Sequence, residues 1–210
     1  MLLAIESSTP RASLALYDPA ADAIVWSREF TSERAHNALI FAPLAEALDH
    51  CGRRLDLIVV GRGPGSYGGV RVGIAVAHGL SLALGAPIVG LSSLEAMGSG
   101  ESDYAVIGDA RRQSWFLARV ENGRLSGEPQ LTDQPGLIAD LTLLHRRGNP
   151  VYTADPALAA AHAGVIHSVP DAARLARRAA VLDPAGIARL ATEPLEPHYL
   201  RAPYITTPKG

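Results

Sequence analysis

Residues 61–95, GRGPGSYGGVRVGIAVAHGLSLALGAPIVGLSSLE, decide how this chain folds. The β-branched run at 57–60 predicts a buried strand, and the glycines that follow it predict a sharp turn. An apolar segment then predicts a helix that begins after Ser66 and ends at Gly85, and 87–91 predicts the next strand. Strand, helix and strand in this order form a βαβ crossover, so the two strands should pair in parallel.

The helix of this crossover has more apolar surface than one sheet can cover. Its apolar residues point nearly all round: Val70, Val72, Ile74, Val76, Ala77, Leu80, Leu82 and Leu84. It also carries the helix-weakening glycines 68, 69, 73 and 79, which allow another backbone to approach closely. Two interpretations stay open: a helix buried wholly within its own domain, or a helix with one face on its sheet and the other on a helix of a partner protein.

Length and composition narrow the class of protein. A chain of 210 residues suits one large domain or two small lobes. The net charge of −2 provides no basic field for nucleic acid, and the single cysteine, Cys51, excludes a disulfide within the chain. Glu6 interrupts the first apolar run, so we expect no signal peptide. The apolar stretch 72–91 contains His78 and several glycines, so we expect no membrane segment. These features indicate a soluble cytoplasmic protein.

The first thirty residues predict three strands in a meander, at 2–5, 12–17 and 23–26. A tight polar turn joins the first two strands. An acidic side chain followed by hydroxyls can hold phosphate or Mg²⁺ with the help of backbone N–H groups. The turn therefore supplies candidate nucleotide-binding residues, Glu6, Ser7, Ser8 and Thr9. The alternative is an ordinary polar hairpin turn, which the local residues favour.

Residues 32–50 predict a helix, because apolar residues recur at steps of three and four. Pro43 lies inside it and cannot donate to the carbonyl of Leu39, so a kink is expected there. Ile40, Phe41 and Leu44 fall outside the apolar stripe and suggest a second buried face.

The second half repeats the order of strands followed by alternating helices. Ser92 to Glu95 predicts a capping box, and the polar stretch 98–103 is the best lobe boundary. We therefore expect two lobes, 1–101 and 102–210. The repeated pattern predicts an α/β duplication.

Five segments together resemble the TsaB (YeaZ) family of M22 glycoprotease-like proteins. They are MLLAIESSTPRASLALYD, GRGPGSYGGVRVGIAVAHGLSLALG, PIVGLSSLEAM, GDARRQSWF and HYLRAP. The match is dense in the N-terminal half, although the chain has Gly-Ser-Tyr-Gly-Gly where the family usually has Gly-Ser-Phe-Thr-Gly. The resemblance implies the two-lobed fold of actin, sugar kinases and heat-shock ATPases (ASKHA), each lobe being a mixed sheet flanked by helices.

The resemblance also implies that catalytic residues are missing. The family's catalytic relative, TsaD, has a His-x-x-x-His metal motif that falls on Ser93 and Met97 of this chain. A hydroxyl and a thioether are poor replacements for two imidazoles. We therefore expect no catalytic metal, no stably bound cofactor and no catalytic activity of the chain's own. ATP would be used by the complex rather than by this subunit.

By resemblance, the chain is a partner subunit that activates and stabilises TsaD in the bacterial complex forming N6-threonylcarbamoyladenosine at position 37 of tRNAs. A TsaE-like ATPase and tRNA would complete the assembly, and the isolated chain would form a homodimer. The expected heterodimer interface uses the helices at 34–50 and 67–84, with Gly73 facing the partner. The candidate contact residues are His36, Leu39, Ile40, Pro43, Leu44, Gly69, Val70, Gly73, Ile74, Ala77 and Leu80.

An enzyme is the alternative: an M22-type glycopeptidase or an ASKHA small-molecule kinase that uses the turn at 6–9. A kinase of this fold would need a phosphate loop in each lobe, but 108–111 lacks the hydroxyls and glycines for a second one. The sequence contains no zinc signature and no recognisable Ser-His pairing for a peptidase.

Overall fold

The structure, a computed structural model, describes residues 1–31 and 36–200 and only the backbone of His36 and Asn37. Two mixed sheets form its two lobes. The first sheet has the order β3-β2-β1-β4-β5. Its strands are β1 (Leu2–Glu6), β2 (Arg11–Asp18), β3 (Ala23–Thr31), β4 (Leu57–Gly61) and β5 (Ile88–Leu91).

The pairing of the first sheet confirms both the meander and the crossover. Strands β1, β2 and β3 pair antiparallel, whereas β1, β4 and β5 pair in parallel. Helix α3 (Tyr67–Leu84) connects β4 to β5. Ser66 caps its start by accepting a hydrogen bond from the Gly69 N–H (3.3 Å), and Gly85 ends it with a φ of 71°.

Two short helices occupy the segment predicted as one helix. Helix α1 (His36–Leu39) and helix α2 (Phe41–His50) are separated at Ile40, and residues 32–35 lie outside the described part of the chain. The interruption agrees with the kink predicted from Pro43, whose nitrogen has no hydrogen to donate to Leu39. Helices α2 and α3 cover one face of the first sheet.

The second sheet repeats the connectivity of the first. Its order is β11-β10-β6-β7-β8, with β9 also paired to β7. Its strands are β6 (Tyr104–Asp109), β7 (Trp115–Glu121), β8 (Arg124–Leu125), β9 (Gln130–Thr132), β10 (Val151–Thr153) and β11 (Val165–His167). As in the first lobe, the opening strand pairs antiparallel with the second and in parallel with a later strand. The predicted duplication is therefore confirmed.

Four helices complete the second half of the chain. Helix α4 (Gln134–Arg146) packs on the second sheet, and helix α5 (Pro156–Ala161) connects β10 to β11. Helices α6 (Ala172–Ala180) and α7 (Pro184–Thr192) return to the first lobe and cover the other face of its sheet. The division at residue 101 stays a prediction, and this packing crosses it.

Helix α3 has the length and composition of a membrane-spanning helix. Buried core helices of soluble proteins also have these properties, and α3 packs along its own sheet with Val70, Ile74 and Ala77. Only 33% of this helix is buried, so packing on its own sheet accounts for one face of its apolar surface and not for the other.

Candidate functional site

A cleft of about 1340 Å³ lies between the two lobes. The hairpin loop that follows β1 and the glycine turn before α3 line one side. The hairpin loop that follows β6 lines the other side, together with 153–155 and 198–200. The carboxyl ends of the parallel strands thus meet at one cleft, which is where α/β folds bind ligands.

Glu6 is sealed beneath this cleft. Its side chain is 1% exposed, and its Oε1 accepts a hydrogen bond from the Ser8 N–H at 2.7 Å. Its Oε2 has no hydrogen-bond partner among the described residues. Burial raises the pKa of Glu6, and the nearby polar groups of Ser8 and Ser93, which favour the charged carboxylate, offset only part of that effect. The carboxyl is therefore held in a site that favours its protonated form.

The glycine turn closes over the first hairpin. The Ser66 N–H donates to the Ser8 carbonyl at 2.6 Å, and a Cβ on Gly65 would lie 2.8 Å from the Cβ of Ser8. Ser7 is also occupied, because its hydroxyl donates to the Gly69 carbonyl at 2.9 Å. Of the four candidate nucleotide-binding residues, only Ser8 and Thr9 line the cleft. Nucleotide binding stays a prediction that these positions alone would have to support.

The second hairpin presents different chemistry to the cleft. The Arg111 N–H donates to Asp109 Oδ1 at 2.7 Å, and the Ala110 N–H donates to the Ser114 carbonyl at 2.9 Å. Arg111, Arg112 and Gln113 have φ values of 66°, 56° and 56°, a conformation that normally favours glycine. The loop is thus arginine-rich, with backbone N–H groups engaged internally.

The resemblance places Ser93 and Met97 at the positions of the two TsaD metal ligands. In the structure both side chains are buried. Ser93 is buried and its Oγ accepts from the Gly63 N–H at 3.0 Å. Met97 packs in an apolar cluster with Tyr104 and Phe116. No group of three metal-ligating side chains occurs among residues 1–31 and 36–200.

The predicted capping box forms only in part. Ser92 accepts from the Leu94 N–H at 3.3 Å and begins a 3-10 helix, Ser93–Ala96. Glu95 instead turns away and accepts from the Leu125 N–H at 3.1 Å. The expectation that Glu95 caps its own helix is therefore wrong.

The face assigned to the partner on helices α2 and α3 is also wrong. Nine of the predicted contact residues are buried in the chain's own first lobe: Ile40, Pro43, Leu44, Gly69, Val70, Gly73, Ile74, Ala77 and Leu80. Gly73 faces its sheet, since a Cβ there would lie 2.5 Å from Ser7 Oγ and 3.5 Å from Ile5 Cγ2. Leu39 is 45% exposed, and the side chain of His36 lies outside the described residues.

The opposite face of α3 is open instead. We define the outer face as the exposed positions Gly68, Ala75, Gly79 and Leu82 of α3, among which the exposed Arg71 also lies, together with the exposed Leu39 of α1 and Phe41 of α2. Leu82 is 91% and Phe41 60% exposed, and a Cβ on Gly68 or Gly79 would meet nothing within 4 Å. The signal was present in the sequence, because steps of seven, four and three along α3 keep one helix face.

Comparison with known proteins places the chain in a family. Residues 30–159 match the family described as TsaD: tRNA N6-adenosine threonylcarbamoyltransferase. The chain is 34% identical over 160 residues to a tRNA threonylcarbamoyladenosine biosynthesis protein TsaB from Bacillus subtilis, covering 71% of this chain and 68% of that protein. A protein of the same name from Escherichia coli is 35% identical over 139 residues, covering 60% of this chain and 59% of that protein.

Uncharacterised mycobacterial proteins are also similar. One from Mycobacterium tuberculosis is 35% identical over 127 residues, and the match spans 58% of this chain and 60% of that relative's length. Two solved structures from Pseudomonas aeruginosa share the fold. One, described as similar to peptidase YEAZ, has a TM-score of 0.69 at 24% identity and covers 95% of this chain and 99% of its own. The other, YeaZ, has a TM-score of 0.66 at 23% identity, with coverages of 94% and 98%.

The fold and cleft define a two-lobed ASKHA-like α/β protein, in which each lobe is a mixed sheet flanked by helices. The duplicated connectivity and the fold shared with the YeaZ structures confirm the predicted fold class. Within that class, the chain belongs to the TsaB (YeaZ) family.

Proposed function

We propose that this chain is the non-catalytic partner subunit of a complex that forms N6-threonylcarbamoyladenosine at position 37 of tRNAs. Its role would be to bind, activate and stabilise a TsaD-like catalytic subunit. The names of the TsaB relatives and the match to the TsaD family support this role. The observation that carries the proposal is the outer face of α3, which the chain leaves uncovered.

The outer face has the chemistry of a helix-packing surface. Small residues at Gly68, Ala75 and Gly79 allow a partner backbone to approach, and Phe41 and Leu82 provide apolar side chains that are mostly exposed. Burying them against another protein would stabilise the complex by about 25 cal/mol for each Å² of apolar surface removed from water. We therefore retain the interface helices proposed from the sequence, but we assign the partner contact to the outer face instead of the buried face.

A catalytic role is not favoured by the residues at the expected metal positions. Ser93 and Met97 are engaged in packing and hydrogen bonding within the chain. Chemistry would then be supplied by the TsaD-like subunit, with ATP used by the complex and a TsaE-like ATPase present. We further propose that tRNA is bound through the complex, that the isolated chain pairs with itself through the outer face, and that it acts in the cytoplasm.

The experiment places one charge on the outer face. Gly79→Arg introduces a long cation where open space lies now, so the chain should fold normally. The unpaired cation should prevent close helix packing, because its burial would be uncompensated. We expect the variant to lose co-elution with the TsaD of the same organism in size-exclusion chromatography with light scattering. Reconstituted tRNA modification should fall with it.

The matched control is Ala160→Arg, which adds the same charge to an exposed position of α5 in the other lobe. It should retain association and tRNA modification. A folded Gly79→Arg variant that still binds TsaD as tightly as the control would exclude the outer face as the interface. Loss of modification without loss of association would instead contradict a role limited to binding through this face.

A further inference from the structure

The two lobes are joined by a short connection, residues 97–103, between the 3-10 helix and β6. It contains Gly98 and Gly100, with φ values of 78° and 135°. A two-lobed protein can open and close its cleft by rotation about a few residues of such a connection. Glycine has the least restricted backbone of all residues. The connection by itself would therefore permit hinge motion.

One arginine holds both ends of this connection. Nε of Arg178 donates to the Glu95 carbonyl at 3.1 Å, and its Nη2 donates to the Glu101 carbonyl at 2.7 Å. The two carbonyls lie on opposite sides of Gly98 and Gly100 in the chain. Rotation at either glycine would change the separation of the carbonyls, whereas the donors of a planar guanidinium are fixed relative to each other. Hinge motion would therefore break at least one of these hydrogen bonds.

Arg178 is itself anchored to the first lobe. It lies on α6, whose Ala172, Leu175 and Ala179 are buried in the core on one face of the first sheet. At the start of this helix, the Ala172 N–H donates to Ser13 Oγ of β2 at 2.8 Å. The helix cannot shift without exposing this core, so the guanidinium is presented at a fixed position.

The second lobe meets the same guanidinium. The turn between β7 and β8 passes so close that a Cβ on Gly123 would overlap Nη1 of Arg178. The Gly123 N–H donates to the Ser102 carbonyl at 2.7 Å, and the Tyr104 hydroxyl of β6 donates to the Leu94 carbonyl at 2.7 Å. The arginine thus lies where the first lobe, the connection and the second lobe come together.

We infer that Arg178 is an interlobe lock, which prevents hinge motion at the two glycines and holds the interlobe cleft at one width. Two ion pairs, Arg124 with Glu95 and His198 with Glu128, also link separate segments beside this junction. Neither includes a residue of the connection, so neither fixes rotation at the glycines. The width of the cleft is therefore set by the chain itself rather than by a ligand.

The first test measures the distance between the lobes in the whole chain. Spin labels are attached to cysteines introduced at Ala139 of α4 and Ala188 of α7, which are both exposed. Cys51→Ser removes the single natural thiol. Pulsed electron paramagnetic resonance gives the distribution of label distances, and dilution with unlabelled chain removes distances between two chains. We expect one narrow distribution for the chain that retains Arg178.

Arg178→Met keeps the aliphatic stem and removes both hydrogen bonds to the connection. It should broaden the distance distribution by about twofold or more, because rotation at the glycines becomes possible. Hydrogen exchange at the Gly98 and Gly123 N–H groups should become about tenfold faster or more, since both groups are bonded next to the lock. Arg177→Met removes the neighbouring, exposed arginine of the same helix and should change neither measurement.

A second pair of variants leaves the arginine in place. Gly123→Ala would push the guanidinium out of position, whereas a Cβ on Gly127 would meet nothing within 4 Å. Their φ values are 73° and 75°, so both alanines carry the same backbone strain. Gly123→Ala should broaden the distance distribution and Gly127→Ala should not.

Three results would overturn the inference. The first is a folded Arg178→Met chain with the distance distribution and hydrogen exchange of wild type, which would assign the fixed cleft to the other contacts. The second is equal broadening in Arg177→Met, and the third is equal broadening in Gly127→Ala. Circular dichroism checks folding of every variant. If Arg178→Met does not fold, the comparison of Gly123→Ala with Gly127→Ala decides, and equal distributions in those two chains would reject the lock.

Discussion

The two lobes share one strand connectivity but differ at two corresponding elements, the crossover helix and the end of the first strand. In the first lobe the crossover helix α3 has 18 residues, whereas its counterpart α5 has 6. Helix α3 covers its own sheet with one face and leaves the outer face open, while α5 is too short to offer a comparable surface. The strand order is therefore the same in the two lobes, whereas the crossover helix differs in length and in the surface that it exposes.

The second difference lies at the end of the first strand of each lobe. Glu6 ends β1 and is buried beneath the glycine turn, whereas Asp109 ends β6 and is exposed at the cleft. Gly65 and Ser66 seal the first hairpin, but no equivalent segment covers the second within the described residues. Equal topology therefore does not give equal chemistry, because the seal depends on one glycine turn.

The largest expected effect is on folding of the first lobe. Gly73→Arg would drive a cation into the packed space between Ser7, Ile5 and Val60. We expect a loss of about 3–5 kcal/mol in the free energy of unfolding, a large fraction of the roughly 5–15 kcal/mol that stabilises a typical domain. Urea unfolding followed by circular dichroism measures it. Ala160→Arg in α5 should change stability by no more than about 0.5 kcal/mol. A stable Gly73→Arg chain would contradict the inward placement of this face.

The next effect is a dependence of stability on pH that originates in Glu6. Because its pKa is raised above the ordinary 4.5, the folded protein holds the proton more tightly than the unfolded chain does. This contribution to stability is fully present below pH 4.5 and is lost as pH rises through the folded-state pKa. Glu6→Gln should lack this decline, since glutamine does not ionise. Urea midpoints measured from acid to neutral pH would reveal it.

The pKa of Glu95 is also raised, so its contribution to the pH dependence of stability must be separated from that of Glu6. The single variants Glu6→Gln and Glu95→Gln and the double variant should each flatten the pH profile further. Parallel profiles for wild type and Glu6→Gln would show that the Glu6 carboxyl is not sealed as the structure has it.

A smaller effect compares serines in the two hairpins. Ser7 donates to the Gly69 carbonyl in a buried position, so Ser7→Ala should cost about 1 kcal/mol. Ser114 donates to the Arg111 carbonyl where water can replace it, so Ser114→Ala should cost less than about 0.5 kcal/mol. Chemical unfolding of both variants measures the difference. Equal losses would mean that the first hairpin is no better sealed than the second.

The sequence predicted the sheets well because the information is local. Short β-branched runs, the cap at Ser66 and the glycine at 85 each determine their own surroundings. The return of α6 and α7 to the first lobe was not predicted, because it depends on contacts such as the Ala172 N–H to Ser13 Oγ, 159 residues apart.

The site was predicted less well, because the direction of a side chain depends on packing. Composition showed that α3 has surplus apolar surface, but it could not say whether Gly73 or Gly79 faces the sheet. That choice follows from the position of Ser7 and Ile5 on a distant strand. Likewise, Glu95 fits a capping pattern in sequence, and only the approach of β8 shows that it binds Leu125.

The last prediction concerns nucleotide, for which we expect no strong binding to the isolated chain. In the first hairpin the Ser8 N–H is held by Glu6 and the Ser8 carbonyl by Ser66, so little of this loop remains for phosphate. The second hairpin presents Asp109 and has no glycine between residues 109 and 114. Calorimetric titration with Mg-ATP should therefore give no saturable heat at micromolar concentrations. A dissociation constant near 1 μM corresponds to about −8 kcal/mol, which an incidental phosphate contact does not supply. Such a value would restore the kinase alternative and show that the two hairpins can still act as a pair.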